Sequence, residues 1–319
     1  IILILVFIGI FYLSIYGLNT SYFNKTIKEQ VQKVDSKINL EFQKTRILLN
    51  LKQLKINLKI IKPSLNYNKN VVNLTKIETK ILLSSLIKNS FAIESINLGI
   101  EKTNIKTLIK IISARKKLHI FQELVNGGDV VGEVEIFFDK KGNIKDNYKV
   151  FGTFYKLNTK ISQKYNVSDI SSDFEVSNNN FDFFIKEAKI SGLDLKSSKV
   201  NIIKKNKNLF VKVNLITKGE IDKPKAILDN FNLSLKNELV NISKISFEIN
   251  HKINFMLENY INLKDFSIKG EGKINSFILS NNFKKNIKTY IHNINNEILI
   301  KNSNLIYSYT KDNYNILLN

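Results

Sequence analysis

A mainly β protein is the expectation for this chain, and three observations carry it. Apolar and polar residues alternate with a period of two over much of the length. Polar clusters rich in Asn, Lys, Asp and Gly separate the alternating runs, as turns do. Helical spacing is confined to a few segments near the start.

The first segment, Ile1 to Leu18, reads IILILVFIGIFYLSIYGL and carries no charge. About 20 apolar residues in a helix span a bilayer's hydrocarbon core, so residues 1–18 are expected to be a transmembrane anchor. Tyr12 and Tyr16 sit towards one end, where aromatic belts form. The residues that follow, Asn19 to Phe23, make a poor signal-cleavage site, so the anchor is expected to be retained. The expected orientation is N-terminus in the cytoplasm and bulk outside it.

Residues 19–37 are expected to form a short linker helix. Phe23, Ile27, Val31 and Val34 recur on one helical face, with Thr20 or Ser21 as the cap.

From residue 38 the period changes to two. Leu54, Ile56, Leu58 and Ile60 alternate with Lys55, Asn57 and Lys59. The pattern returns at Ile96, Leu98 and Ile100, and at Val134, Ile136 and Phe138. It returns again at Leu209, Val211, Val213 and Leu215, at Phe231, Leu233 and Leu235, and at Ile245, Phe247 and Ile249. Alternation gives each strand one apolar and one polar face. Turns are expected at Asp139–Asn143, Asn178–Asn180 and Lys204–Asn208, joining the strands into an antiparallel meander. One helix is expected to interrupt it, over residues 104–126. It carries Ile105, Leu108, Ile109, Ile112, Leu118, Phe121 and Val125, with Gly127 and Gly128 as its stop. The chain ends within an apolar run, Asn315 to Asn319, and is expected to be truncated there.

Composition narrows the function. Lys and Arg number 49 against 28 Asp and Glu, a net charge of +21. Arg46 and Arg115 are the only arginines. Nucleic-acid readers favour the bidentate guanidinium, and a lysine excess spread along the whole chain reads instead as solvated sheet faces. No nucleic-acid partner is expected. There is no cysteine, which excludes disulfides and thiolate metal sites.

No constellation in the sequence points to catalysis. His119, His251 and His292 are far apart and in no metal-ligand pattern. Gly270-Glu271-Gly272-Lys273 lacks the spacing of a phosphate loop and is expected to be a β-turn. Asp182 with Glu187, and Asp139 with Asp146, read as ordinary solvated carboxylates. The chain is expected to be neither an enzyme nor a cofactor or metal binder.

An antiparallel sheet with one apolar face must cover that face. A sandwich and an apolar groove both demand the same alternation. A groove of roughly 15 strands at about 4.8 Å each would run about 70 Å. It would suit acyl chains, since exposing about 14 carbons to water costs on the order of 11 kcal/mol. The groove-lining candidates are the alternating apolar residues from Leu54 to Leu235 named above.

In its order of parts the chain resembles the bacterial AsmA-like family, of the AsmA, YhdP and TamB type. The resemblance rests on the segment Ile1–Leu18 and the strand Leu54–Ile60. It rests also on Ile81-Leu82-Leu83-Ser84-Ser85-Leu86-Ile87 leading into Phe91-Ala92-Ile93-Glu94-Ser95-Ile96-Asn97-Leu98. It implies an inner-membrane anchor and an elongated periplasmic sheet curled into an apolar groove. It further implies movement of phospholipid to the outer membrane, with outer-membrane assembly proteins as partners. The alternative expectation is an envelope scaffold with a packed sandwich core.

Overall fold

A computed structural model describes residues 2–34, 36–68, 70–84, 93–112, 125–143, 145, 147–160, 166–190, 193–222, 241–259, 262–280, 297–310 and 313–319. Among them the chain is mainly β, with its strands pairing antiparallel along the ladders from residue 18 to 160 and from 180 to 318. The chain divides into two compact units, residues 1–160 with 173–179, and 161–172 with 180–319.

The first unit opens with α1 (Ile2–Ile15), apolar round its whole circumference. Its single serine is satisfied inside the helix, Ser14 Oγ donating to Ile10 O at 2.8 Å. Within residues 1–18, the segment expected to be the anchor, the helix ends before Leu18. The helix stops at Ile15, Gly17 turns the chain at φ +69°, and Leu18 begins strand β1 (Leu18–Thr20). Strand β1 pairs with β3 (Thr45–Asn50), and Arg46 Nη2 donates to Tyr16 O at 2.7 Å. That guanidinium meets a carbonyl which the helix end leaves without a partner. No helix among the described residues is long and apolar enough to cross a membrane.

Helix α2 (Asn24–Val34) starts later than residue 19, because residues 18–20 are strand. Thr20 Oγ1 accepts from Tyr22 N rather than from the helix. Asn24 instead ties α2 to the chain before β3, its Nδ2 donating to Gln43 O at 2.7 Å.

The remaining strands of this unit are β2 (Ile38–Glu41), β4 (Lys55–Ile61), β5 (Ser64–Tyr67), β6 (Asn70–Leu82), β7 (Ile93–Asn104), β8 (Val125–Phe137) and β9 (Lys149–Lys160). Strands β4 and β5 are one line broken at Lys62, φ 50°, and the buried Pro63. Long β6 pairs with both, and Leu74 N donates to Pro63 O at 2.9 Å across the break. Proline can sit here because the ladder asks it only for its carbonyl.

Of the helix expected over residues 104–126, residues 113–124 lie outside the described residues, and Asn104, Val125 and Asn126 are strand. Helix α3 spans Ile105–Ile112 and packs Ile105, Leu108 and Ile109 inward. Asn104 Oδ1 accepts from Lys106 N at 3.0 Å, an N-cap. Leu118 and Phe121 lie outside the described residues. Val125 and Asn126 belong to β8, and Gly127 and Gly128 are no helix stop. They form a bulge against β9, where the register slips on either side of Gly127. Gly128 has φ +119°, and a Cβ there would lie 2.6 Å from Leu157 Cα.

The second unit is an antiparallel ladder of long strands. Strand β10 (Asn166–Ser177) contributes residues to both units. Then come β11 (Asn180–Ile190), β12 (Leu193–Lys205), β13 (Asn208–Asp222), β14 (Asn241–Glu258), β15 (Asn262–Ser280), β16 (Glu297–Thr310) and β17 (Tyr314–Leu318). Its apolar core is Phe247, Ile249, Ile274 and Phe277, with Leu193, Ile245 and Leu305 packed against them. A second cluster joins Val167, Ala188 and Leu195.

The expected turns are present. Asp139 accepts from Lys141 N at 2.8 Å and Asn143 N at 2.9 Å, and Asn143's side chain holds its carboxylate below the usual range. Asn178 and Asn206 take positive φ at their reversals, a conformation asparagine tolerates. Gly270–Lys273, expected to be a β-turn, lies instead in the middle of β15.

Adding a methyl group separates the two glycines of the bulge. Gly128→Ala should cost about 2 kcal/mol or more of stability, from strain and backbone clash. Gly127→Ala, which meets nothing within 4 Å, should stay within about 0.5 kcal/mol of wild type. Urea denaturation of the two variants reads the difference.

Candidate functional site: an apolar face with a polar notch

Residues directly opposite one another in an antiparallel ladder project to the same face. In the first unit Ile60, Ile77, Leu98, Val134 and Val150 make one unbroken apolar row across β4, β6, β7, β8 and β9. A parallel row is Ile47, Leu58, Thr79, Ile96 and Ile136. Ile56 stands between Leu49 and Ile81, and Ile100 between Leu74 and Gly132. The structure thus brings Ile56, Leu58, Ile60, Ile96, Leu98, Ile100, Val134 and Ile136 onto one face. Phe138 follows the end of β8 and stays tied to the sheet, its N–H donating to Glu94 O at 2.9 Å. Leu54 is a correction. It sits in the turn before β4 with φ 50° and is 60% exposed, so it is no part of the row.

The opposite face of this unit is charged. Arg46, Lys59, Glu78, Asn97 and Glu135 stand in one row. Lys59 pairs with Glu78 at 2.7 Å and Lys55 with Glu94 at 2.7 Å. Lys76 reaches Glu133 at 3.3 Å across Gly99, whose missing side chain clears the path. These pairs are half-buried, and opposite charges facing each other favour this register over its neighbours.

The second unit repeats the division. Phe183, Val200, Val213, Ile253, Ile268 and Tyr309 form one row, and Ile202, Val211 and Phe255 the next. Leu209 faces Leu257, and Leu215 faces His251. Asp182, Asn201, Lys212, Asn254 and Ser267 line the other face. Val211 is 6% exposed and Lys212 is exposed, as alternation requires. Phe231, Leu233 and Leu235 lie outside the described residues.

The carboxylates Asp182 and Glu187 have separate partners. Asp182 accepts from Asn180 at 2.6 Å and Asn201 at 3.0 Å, and Glu187 from Ser171 at 3.1 Å. Asp146, His119 and His292 lie outside the described residues. Among the described residues no group of His, Cys, Asp and Glu could hold a metal ion.

One feature of the apolar face has no counterpart in the pattern of the sequence. His251 of β14 stands on it, with Thr217 of β13 at 2.6 Å from its Nε2 and the Tyr307 hydroxyl hydrogen-bonded to its Nδ1. Tyr307 of β16 reaches His251 over Gly270 of β15, the residue between them in the ladder. A Cβ on Gly270 would collide with the Tyr307 ring. Burial drives the imidazole towards its neutral form, with its pKa lowered from 6.5 to about 4, and pushes the Tyr307 hydroxyl up to about 12.

The neutral ring carries one N–H, so one of its two partners accepts and the other donates: the Thr217 hydroxyl at Nε2 and the Tyr307 hydroxyl at Nδ1. Thr217 Oγ1 also lies 3.4 Å from Ile249 O.

Two measurements test this site. Val211→Asp should cost about 3 kcal/mol by burying a carboxylate on the apolar face, and Lys212→Asp about 0.5 kcal/mol or less. The second test is pH. His251 binds a proton more readily unfolded than folded, so the native state loses stability as pH falls from about 6.5 to about 4. The stability advantage of wild type over His251→Gln should shrink through that window in urea titrations. A constant advantage would mean that the imidazole titrates normally. No protein-family model, no curated protein and no solved structure matches this chain.

Proposed function

We propose that this chain is a membrane-anchored periplasmic protein that carries or shields lipid on the apolar face of its sheet, in phospholipid transport to the outer membrane and envelope biogenesis. The observation that carries the reading is the unbroken apolar row, strand after strand, backed by a charged opposite face. Such a face shields methylenes from water at about 0.8 kcal/mol each, with no reacting group needed.

Attachment to a single membrane, the bacterial inner membrane, rests on α1. Ile4, Phe7, Ile8, Phe11, Tyr12 and Ile15 are all exposed around it, and Phe7 is 68% exposed. A helix apolar on every side is suited to lipid. The link to the sheet through Gly17, β1 and Arg46 would hold the first strands close to the bilayer surface. The resemblance to AsmA-like proteins supports the same placement and suggests outer-membrane assembly proteins as partners.

A second reading has its own observation. Phe247, Ile249, Ile274 and Phe277 are packed as tightly as a dry core, which suits an envelope scaffold. Photocrosslinking in living cells separates the two, with the photoreactive residue at half-buried Val213 and a control at exposed Lys212. Phospholipid adducts at Val213 alone support lipid carriage. Adducts at neither site, or crosslinks only to protein, support the scaffold. For the anchor, Phe7→Lys combined with Phe11→Lys should shift the protein from the membrane fraction to the soluble fraction.

A further inference from the structure

We infer that the β3–β4 turn, Leu51 to Leu54, is a second point of membrane contact. It dips Leu51 and Leu54 into the bilayer interface beside the foot of α1, while Lys52 meets lipid phosphate. The inference rests on the reading of α1 as a membrane anchor and names a further part of the chain that touches the lipid surface.

Leu54 is held where a leucine is doubly unfavourable. Its φ of 50° is a left-handed conformation that asparagine or glycine accepts more readily. Every other non-glycine residue with positive φ among the described residues is Asn, Asp, Ser or Lys. The Leu54 side chain is also 60% exposed, and that of Leu51 is 46% exposed. The turn around them is firmly built. Asn50 Oδ1 accepts from Gln53 N at 3.1 Å, Leu51 O accepts from Leu54 N at 3.4 Å, and Leu54 O accepts from Leu83 N at 3.0 Å. A closed turn therefore presents two leucines outward, with exposed Lys52 and Gln53 between them and no acidic residue.

The position of the turn says what it meets. Strands β1 and β3 are antiparallel with Leu18 opposite Ile47, so the chain arrives from α1 at the end of β3 that runs on into the turn. Gly17 lies against Ile47 and Leu48, where a Cβ would be 2.6 Å from Ile47 O. Leu51 follows Leu48 by three residues, about 10 Å of extended chain. A bilayer that holds α1 is thus within reach of Leu51 and Leu54. There the leucines leave water, and the lysine between them faces an anionic surface.

The chain contains no tryptophan, so a single introduced tryptophan reports its own surroundings. The full chain carrying Leu51→Trp is mixed with vesicles of phosphatidylcholine and phosphatidylglycerol, with or without brominated acyl chains, and floated on a density gradient. Ile61→Trp, at the other end of β4 and 53% exposed, is the control. Both proteins should float with the vesicles through α1. Brominated lipid should quench Leu51→Trp about threefold more than Ile61→Trp. Leu54→Asn, which suits the left-handed turn, should unfold at the same urea concentration as wild type or higher, yet leave about threefold more protein unbound. That variant carries the test if Leu51→Trp fails to fold. Flotation with equal quenching at the two sites would overturn the turn contact and leave the anchor standing. Failure of the wild-type chain to float would overturn both. Unchanged binding by Leu54→Asn would overturn the part assigned to this leucine.

Discussion

Cross-strand register is the constraint on which the rest of this molecule depends. With a side-chain period of two, a slip of one residue would turn the apolar rows to solvent and the lysines of the charged rows inward. Apolar contact on one face and charge pairing on the other therefore enforce the same alignment. Ile60 opposite Ile77 and Lys59 opposite Glu78 are adjacent pairs of one ladder, and each is wrong if the other slips. The ion pairs make alternative registers worse.

Keeping that phase over long strands needs local corrections. In β12, Leu195 and Val200 are five residues apart and would fall on opposite faces of a regular strand. A bulge between Lys196 and Lys199 resets the phase, so Leu195 faces Thr217 and Val200 faces Val213 on the same side. Ser198 makes the bulge tolerable, since its Oγ accepts from Ile216 N at 3.1 Å and restores the lost ladder bond. Glycines handle the tighter spots. Gly132 and Gly152 face each other across β8 and β9, beneath the ring of Phe174, which also stacks on Phe154 at 4.4 Å between centroids.

Two features are departures from this regular plan. Helix α1 is an apolar cylinder attached to a sheet by one guanidinium, one glycine and one three-residue strand. The notch puts a neutral histidine where alternation calls for an aliphatic side chain. In a low-polarity setting the hydrogen bonds around that imidazole are strong when complete and costly when broken.

The sequence by itself determined the strands, their faces and most of their turns, because alternation and turn chemistry are local properties. Ile56, Leu58, Leu98, Val134 and Val211 were legible as members of an apolar face from spacing alone. Their assembly into rows was not, since which strand lies beside which is a matter of non-local pairing. Leu54 fits the alternation, but the chain reverses there. Gly127 and Gly128 look like a helix stop, yet pairing with β9 draws residues from Val125 onward into a strand. The same holds for Gly270 to Lys273. Glycines suggest a turn locally, but β14 and β16 on either side hold the segment extended. His251 and Tyr307 are 56 residues apart and carry no shared motif. Only the tertiary structure puts them on one row, because Gly270 between them has no side chain to keep them apart.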